Sequence, residues 1–238
     1  MPSAYEKALN QIIAAYTTKM SGAAKRASTV AGSTGRKVGG VLRSAKGKLH
    51  EWITGELVTA ALVHRANISP SRIAIDKKRI QIPVRPAYQP LDADQKFTQM
   101  LRSERHRIYF GASVDKHIWV DENLICGIEC KAYTENAMLK RILVDFQLLR
   151  IKHPTLVPML FQLESMLGGD YCRCKAPCFG SESTHTLLSQ FPDVPLRIVT
   201  LIEGERDVDR PLHEYFKPMK LEHLDRAATR FLEAVSLV

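Results

Sequence analysis

Apolar positions along the chain change period several times, and each change marks an element. Ser3 and Glu6 are spaced as a capping box, and Leu9, Ile12, Ile13, Tyr16 and Met20 follow at helical spacing. A second helical stripe, Trp52, Ile53, Leu57, Ala60 and Ala61, runs from about Lys48 to Ala66. "RIQIPV" alternates Ile80, Ile82 and Val84 as a strand, and Pro83 assigns it to an edge. "PAYQPLDADQ" is a turn-rich connector, and Asp92 to Glu104 reads as a helix. Then "KHIWV", a turn "DEN" and "LICGIECK" form a hairpin.

After Thr134 the period returns to helical, with Met138, Leu139, Ile142, Leu143, Phe146 and Leu149 facing inward until Lys152-His153-Pro154 stops it. "TLVPMLFQLE" and "LRIVTLI" read as buried strands, and Leu221, Leu224, Ala228, Phe231, Leu232 and Val235 mark a closing helix. The order predicts an α/β fold with a mixed central sheet of about five strands flanked by helices. The division it suggests is an N-terminal helix over 1–20, a segment over 21–47, and a single domain over 48–238 with an insertion at 168–190.

Charge sharpens the picture of the first fifty residues. From Lys7 to His50 there is no Asp or Glu but nine basic residues, which equals the net charge of +9 for the whole chain. Six glycines, at 22, 32, 35, 39, 40 and 47, fall in the same stretch, so residues 21–47 read as a mobile, loop-rich basic arm. Such an arm on a neutral body suits a polyanion such as DNA, with a solvated linker or an acidic membrane surface as the other readings. No apolar run reaches the roughly 18–20 residues of a membrane span, and the N-terminus lacks a signal segment. With five cysteines and no export signal, a disulfide framework is disfavoured and the expected compartment is a bacterial cytoplasm.

The chemistry concentrates in the hairpin. Glu129 and Lys131 are two residues apart on one strand and so share a face. Asp115 stands at the mouth of the partner strand, and a turn at "DEN" returns it to the same end as Glu129. The two carboxylates can hold one or two Mg²⁺ ions, with the carbonyl of Cys130 as a third oxygen. A neighbouring lysine can orient an attacking water, assist its deprotonation or stabilise charge on a phosphate. Taken alone, an acid and a lysine so placed are equally an ordinary ion pair at a strand end.

The stretch "VDKHIWVDENLICGIECKAYTENAMLKR" resembles the core of the PD-(D/E)xK nuclease superfamily, most closely a type II restriction endonuclease. The resemblance implies that Asp115 is the first acidic position, Glu129 the second and Lys131 the lysine. Val114 stands where the family motif has proline. Many members add a glutamate from a preceding helix; in "HEWITGELV" that is Glu56 in preference to Glu51. "VPMLFQLES" is similar to the central strand of the EcoRI-like branch, and "ENAMLKR" to its recognition segment. The implied activity is Mg²⁺-dependent, sequence-specific cleavage of double-stranded DNA by a homodimer.

On that reading Asn136 is suited to adenine and Arg141 to guanine, while Lys140 meets phosphate and Tyr133 stacks or packs. Arg36, Lys37 and Arg43 of the arm are backbone contacts. Cys172, Cys174, Cys178 and His185 form a possible zinc set, although their spacing fits no common finger, and a loop with free thiols is the alternative. Cys126 and Cys130 alternate with core residues and read as packing cysteines. Two other functions stay open: a repair or recombination nuclease that reads DNA shape, and a non-catalytic DNA-binding protein using the basic arm. An RNA-binding role is poorly served, since no aromatic residue lies between Tyr16 and Trp52.

Overall fold

A computed structural model describes residues 1–30, 35–85, 87–88, 94–104, 107–169, 171, 180–206 and 217–237, with side chains throughout that set except at 24 and 26–45. Two long helices come first, α1 (Ala4–Val30) and α2 (Gly35–Ala60), and α2 ends in a π-helical turn over Ala61–Arg65. Strands β1 (Ile73–Asp76) and β2 (Ile80–Pro83), helix α3 (Gln95–Ser103) and β3 (Tyr109–Ala112) lead to the hairpin β4 (Lys116–Val120) and β5 (Asn123–Thr134). Helix α4 (Asn136–Lys152), β6 (Val157–Ser165), α5 (Glu182–Ser189), β7 (Arg197–Thr200) and α6 (Leu221–Ala234) complete the order. Among the described residues no helix is long and apolar enough to cross a membrane.

The main sheet is mixed and five-stranded, in the order β1-β4-β5-β6-β7, with helices on both faces, as expected of a restriction-endonuclease-like fold. β1, β4 and β5 are antiparallel, whereas β6 and β7 run parallel to β5. The parallel step from β5 to β6 requires a crossover, and α4 supplies it. One membership differs from the sequence expectation. "RIQIPV" leaves the main sheet and pairs with β3 in a separate two-stranded sheet, and Ile73–Asp76 takes the edge beside β4. Four residues with Ile73 and Ile75 half-buried leave only a faint alternation to read.

The basic segment also differs. Helix covers 21–30 and 35–47, where the glycine count predicts loops. Alanines, lysines and arginines between the glycines favour helix, and α1 and α2 pack on each other, which offsets the roughly 1 kcal/mol each internal glycine costs.

Strand alternation divides the interior into two cores. Cys126, Ile128, Cys130, Met159, Phe161 and Leu163 face α1, α2 and α6, while Leu160 meets Leu139, Leu143 and Phe146 of α4 on the other side. Gly127 lies against α4, where a Cβ would stand 3.0 Å from Cε1 of Phe146 and 3.3 Å from Cγ2 of Val114. The β4–β5 turn is tight: Asp121 and Glu122 both take positive φ, at 49° and 65°. Arg72 braces it, since its Nε donates to Asp121 Oδ1 at 2.7 Å and its carbonyl accepts from the Asp121 N–H at 3.0 Å.

Candidate active site

Register brings the site together. Lys116 pairs with Ile128 in the antiparallel ladder, so the preceding residue, Asp115, comes opposite Glu129. The Cys130 N–H donates to Asp115 Oδ2 at 2.9 Å, which fixes that carboxylate against β5. Lys131 reaches both acids: its Nζ donates to Glu129 Oε1 and lies 3.8 Å from Asp115 Oδ2. The hairpin thus gathers the three residues singled out from the sequence around one ammonium.

Two further groups join from other elements. Lys77, in the β1–β2 turn, donates to Asp115 Oδ1 at 2.6 Å, and its Nζ is 3.5 Å from Glu51 Oε2 on α2. Glu56, preferred from the sequence, is exposed and points elsewhere. Five residues of helix turn a side chain by about 140°, so Glu51 and Glu56 cannot both face β5. Of the two, Glu51 is the one that Lys77 links to Asp115. Asp145 of α4, paired with Arg141 at 3.7 Å, is the other nearby acid, and its charge is felt at Glu129. Lys77 carries no recognisable motif. Its only sequence signal is the run Lys77-Lys78-Arg79 between two short strands.

The carboxyls sit in different fields. Burial works to raise Asp115, but the Lys77 ammonium, the Cys130 N–H and the Lys131 charge outweigh it and hold the group below the usual carboxylate range. Burial pushes Glu129 up, and the negative charge of Asp115 adds to it, although Lys131 opposes both. Both side chains are only 14% exposed. Two facing carboxylates present hard oxygen donors at one hairpin mouth, so the donor set fits a hard metal ion. Among the described residues no group of three or more His, Cys, Asp or Glu side chains could hold a metal, so backbone, water or substrate oxygens would complete the shell.

Behind the strand, His50 of α2 is fully buried, and neither ring nitrogen has a hydrogen-bond partner among the described residues. Burial lowers its pKa to about 3; the Asp115 charge resists and that of Lys131 assists. The unfolded chain therefore takes a proton near pH 6.5, where the folded one does not. Stability is full above that pH and falls as the pH drops toward 3, by at most about 1.4 kcal/mol per pH unit from this group. Urea unfolding of the parent and of His50→Phe at a series of pH values checks this, and the variant should show a shallower slope between pH 6.5 and 4.

The remaining candidates divide. Asn136 is occupied: its Nδ2 donates to Ser183 Oγ at 2.9 Å and its Oδ1 accepts from Thr184 Oγ1 at 2.8 Å, tying α4 to the start of α5. The guanidinium of Arg206 lies 3.9 Å from the Tyr133 ring centroid and covers one face of it. Lys140 is exposed, and Arg141 is 86% exposed, so both can reach a ligand. The side chains of Arg36, Lys37 and Arg43 lie outside the described residues, as do Cys172, Cys174 and Cys178; His185 is exposed on α5. Cys126 and Cys130 are buried free thiols, and burial raises Cys130 to about 12, which suits packing and not reactivity.

No family model matches the chain. Among curated proteins, the type II restriction enzyme DdeI of Desulfomicrobium norvegicum (strain DSM 1741 / NCIMB 8310) is 44% identical over 238 residues, covering 99% of this chain and 99% of that protein. Likeness at that level over the whole length establishes the family, and the chain belongs to the type II restriction enzymes.

Proposed function

We propose that Asp115, Glu129 and Lys131 form the cutting centre of this type II restriction enzyme, a sequence-specific DNA endonuclease. The carrying observation is the ammonium of Lys131, bonded to Glu129 and 3.8 Å from Asp115 at the mouth of one hairpin. Asp115 and Glu129, with the Cys130 carbonyl, would hold Mg²⁺. The ion, when bound, acidifies a water and screens the phosphate charge. Lys131 orients the attacking water and sets positive charge against the phosphate oxygens as a new P–O bond forms and the ester P–O bond breaks. Glu51, which shares the Lys77 ammonium with Asp115, is the preceding-helix glutamate of the centre.

This chemistry supports membership of the PD-(D/E)xK superfamily, and VPMLFQLES as the parallel neighbour of the cutting strand supports its EcoRI-like branch. One centre severs one strand, so cutting both strands of a site calls for a homodimer about a two-fold axis. Arg141 and Lys140 are the exposed cations near the start of α4 and are available for base and phosphate contacts. The basic segment 21–47 adds salt-dependent attraction to the backbone, and the enzyme would meet its DNA in the cytoplasm.

The test is incubation of the purified protein with plasmid DNA and Mg²⁺, followed by sequencing of the fragment ends. Discrete fragments with a common end sequence are expected. Cleavage confined to branched or damaged DNA would instead favour a structure-reading nuclease. In the same assay Glu51→Gln should slow cutting by about 10-fold or more, while Glu56→Gln stays near the parent. The reverse ranking would overturn the choice of Glu51.

A further inference from the structure

Lys77 has no part in the sequence motif, yet its ammonium stands closer to Asp115 than that of Lys131 does. Of the three consecutive basic residues in the β1–β2 turn, Lys78 pairs with Asp76 at 3.8 Å and the Arg79 side chain lies along Gly111. Lys77 turns inward, 2.6 Å from Asp115 Oδ1 and 3.5 Å from Glu51 Oε2, with 53% of its side chain still exposed. Asp115 is therefore held at both oxygens, Oδ2 by the Cys130 N–H and Oδ1 by Lys77.

These two anchors are not equivalent. A backbone N–H within a strand ladder is fixed, whereas a half-exposed lysine on a turn swings into solvent at small cost. An ammonium against Oδ1 also occupies the side of the carboxylate from which a divalent ion would approach, and two cations a few ångströms apart repel. Resting on the metal reading given above, we infer that Lys77 is a displaceable counter-ion of the cutting centre: it bridges Asp115 and Glu51, competes with the divalent ion for Oδ1, and so sets how tightly that ion binds. Removing it leaves Asp115 anchored through Oδ2 but with more uncompensated charge.

The experiment is titration of the full-length protein with Mn²⁺, an oxygen-seeking ion whose free form is counted by electron paramagnetic resonance, without DNA. Lys77→Gln should bind Mn²⁺ about tenfold more tightly than the parent at low ionic strength, and the gap should narrow as salt is added. Lys77→Arg, which keeps the charge, should stay near the parent. Asp115→Asn should lose most of the binding in either background. A Lys77→Gln variant, folded by circular dichroism, that binds Mn²⁺ no more tightly than the parent overturns the assignment of Lys77 alone. A parent protein that binds no Mn²⁺ overturns the metal reading and this inference together.

Discussion

Lys131→Ala should cut DNA at least about 10³-fold more slowly than the parent while still binding its specific site. General acid–base and electrostatic groups at a reacting centre are each worth roughly 10²–10⁴ in rate, and Lys131 is the one ammonium that touches Glu129 and approaches Asp115 among the described residues. Its side chain is 31% exposed and lies at the surface end of the site, so truncation leaves no cavity in either core. It also removes a positive charge from beside two acids, which tightens their hold on a divalent ion and cannot account for slower cutting by loss of metal. Gel-shift affinity and single-turnover cleavage, measured on the same preparation, separate the two steps. Cutting at the parental rate would remove Lys131 from the chemistry, and loss of binding would show that its charge is spent on the DNA backbone.

Phe146→Ala should cost about 3–5 kcal/mol of stability, a large share of the roughly 5–15 kcal/mol that holds a typical protein folded. Phe146 is fully buried, and its ring edge lies 3.0 Å from where a Cβ on Gly127 would be, directly against the strand that carries Glu129 and Lys131. The chain cannot close that void cheaply, because Gly127 has no side chain to fill it and the neighbouring positions are already packed. Urea denaturation should show the loss as a lower midpoint, with cutting reduced even under conditions where the variant is folded. Val144→Ala, on the same helix but 39% exposed, serves as the control and should change stability by no more than about 0.5 kcal/mol. Equal effects for the two substitutions would mean that α4 is not the support of the cutting strand.

What could be read from the residues beforehand follows the reach of each signal. The hairpin was legible because a turn at "DEN" brings Asp115 and Glu129 back to the same end; what sets them opposite each other is the two-residue turn Asp121-Glu122 together with a register shift between Ile118 and Trp119. α4 was legible because Leu139, Ile142, Leu143, Phe146 and Leu149 keep one face without interruption. β1 was not, since four residues, three of them half-buried, give too little period and its partner lies more than forty positions away. Lys77 was invisible for the same reason: its contact depends on the link between β1 and β2, strands of different sheets, approaching a residue 38 positions further on. Glu51 and Glu56 could be separated only by the rotation of α2, which the stripe of Ile53 and Leu57 fixes once the helix is docked. The helical character of the basic segment was masked by six glycines, whose individual preferences are outweighed by the pairing of two long helices.

The three groups assigned to scission are spread over seventeen consecutive positions, 115 to 131, and are set by one ladder register, whereas the exposed cations offered to DNA sit on a helix that begins only after that stretch ends. On the proposed assignment, bond breaking and target choice would be written in adjoining but separate pieces of the chain. Relatives could come to read different nucleotide strings through changes on the outer side of α4 and leave the blade itself untouched.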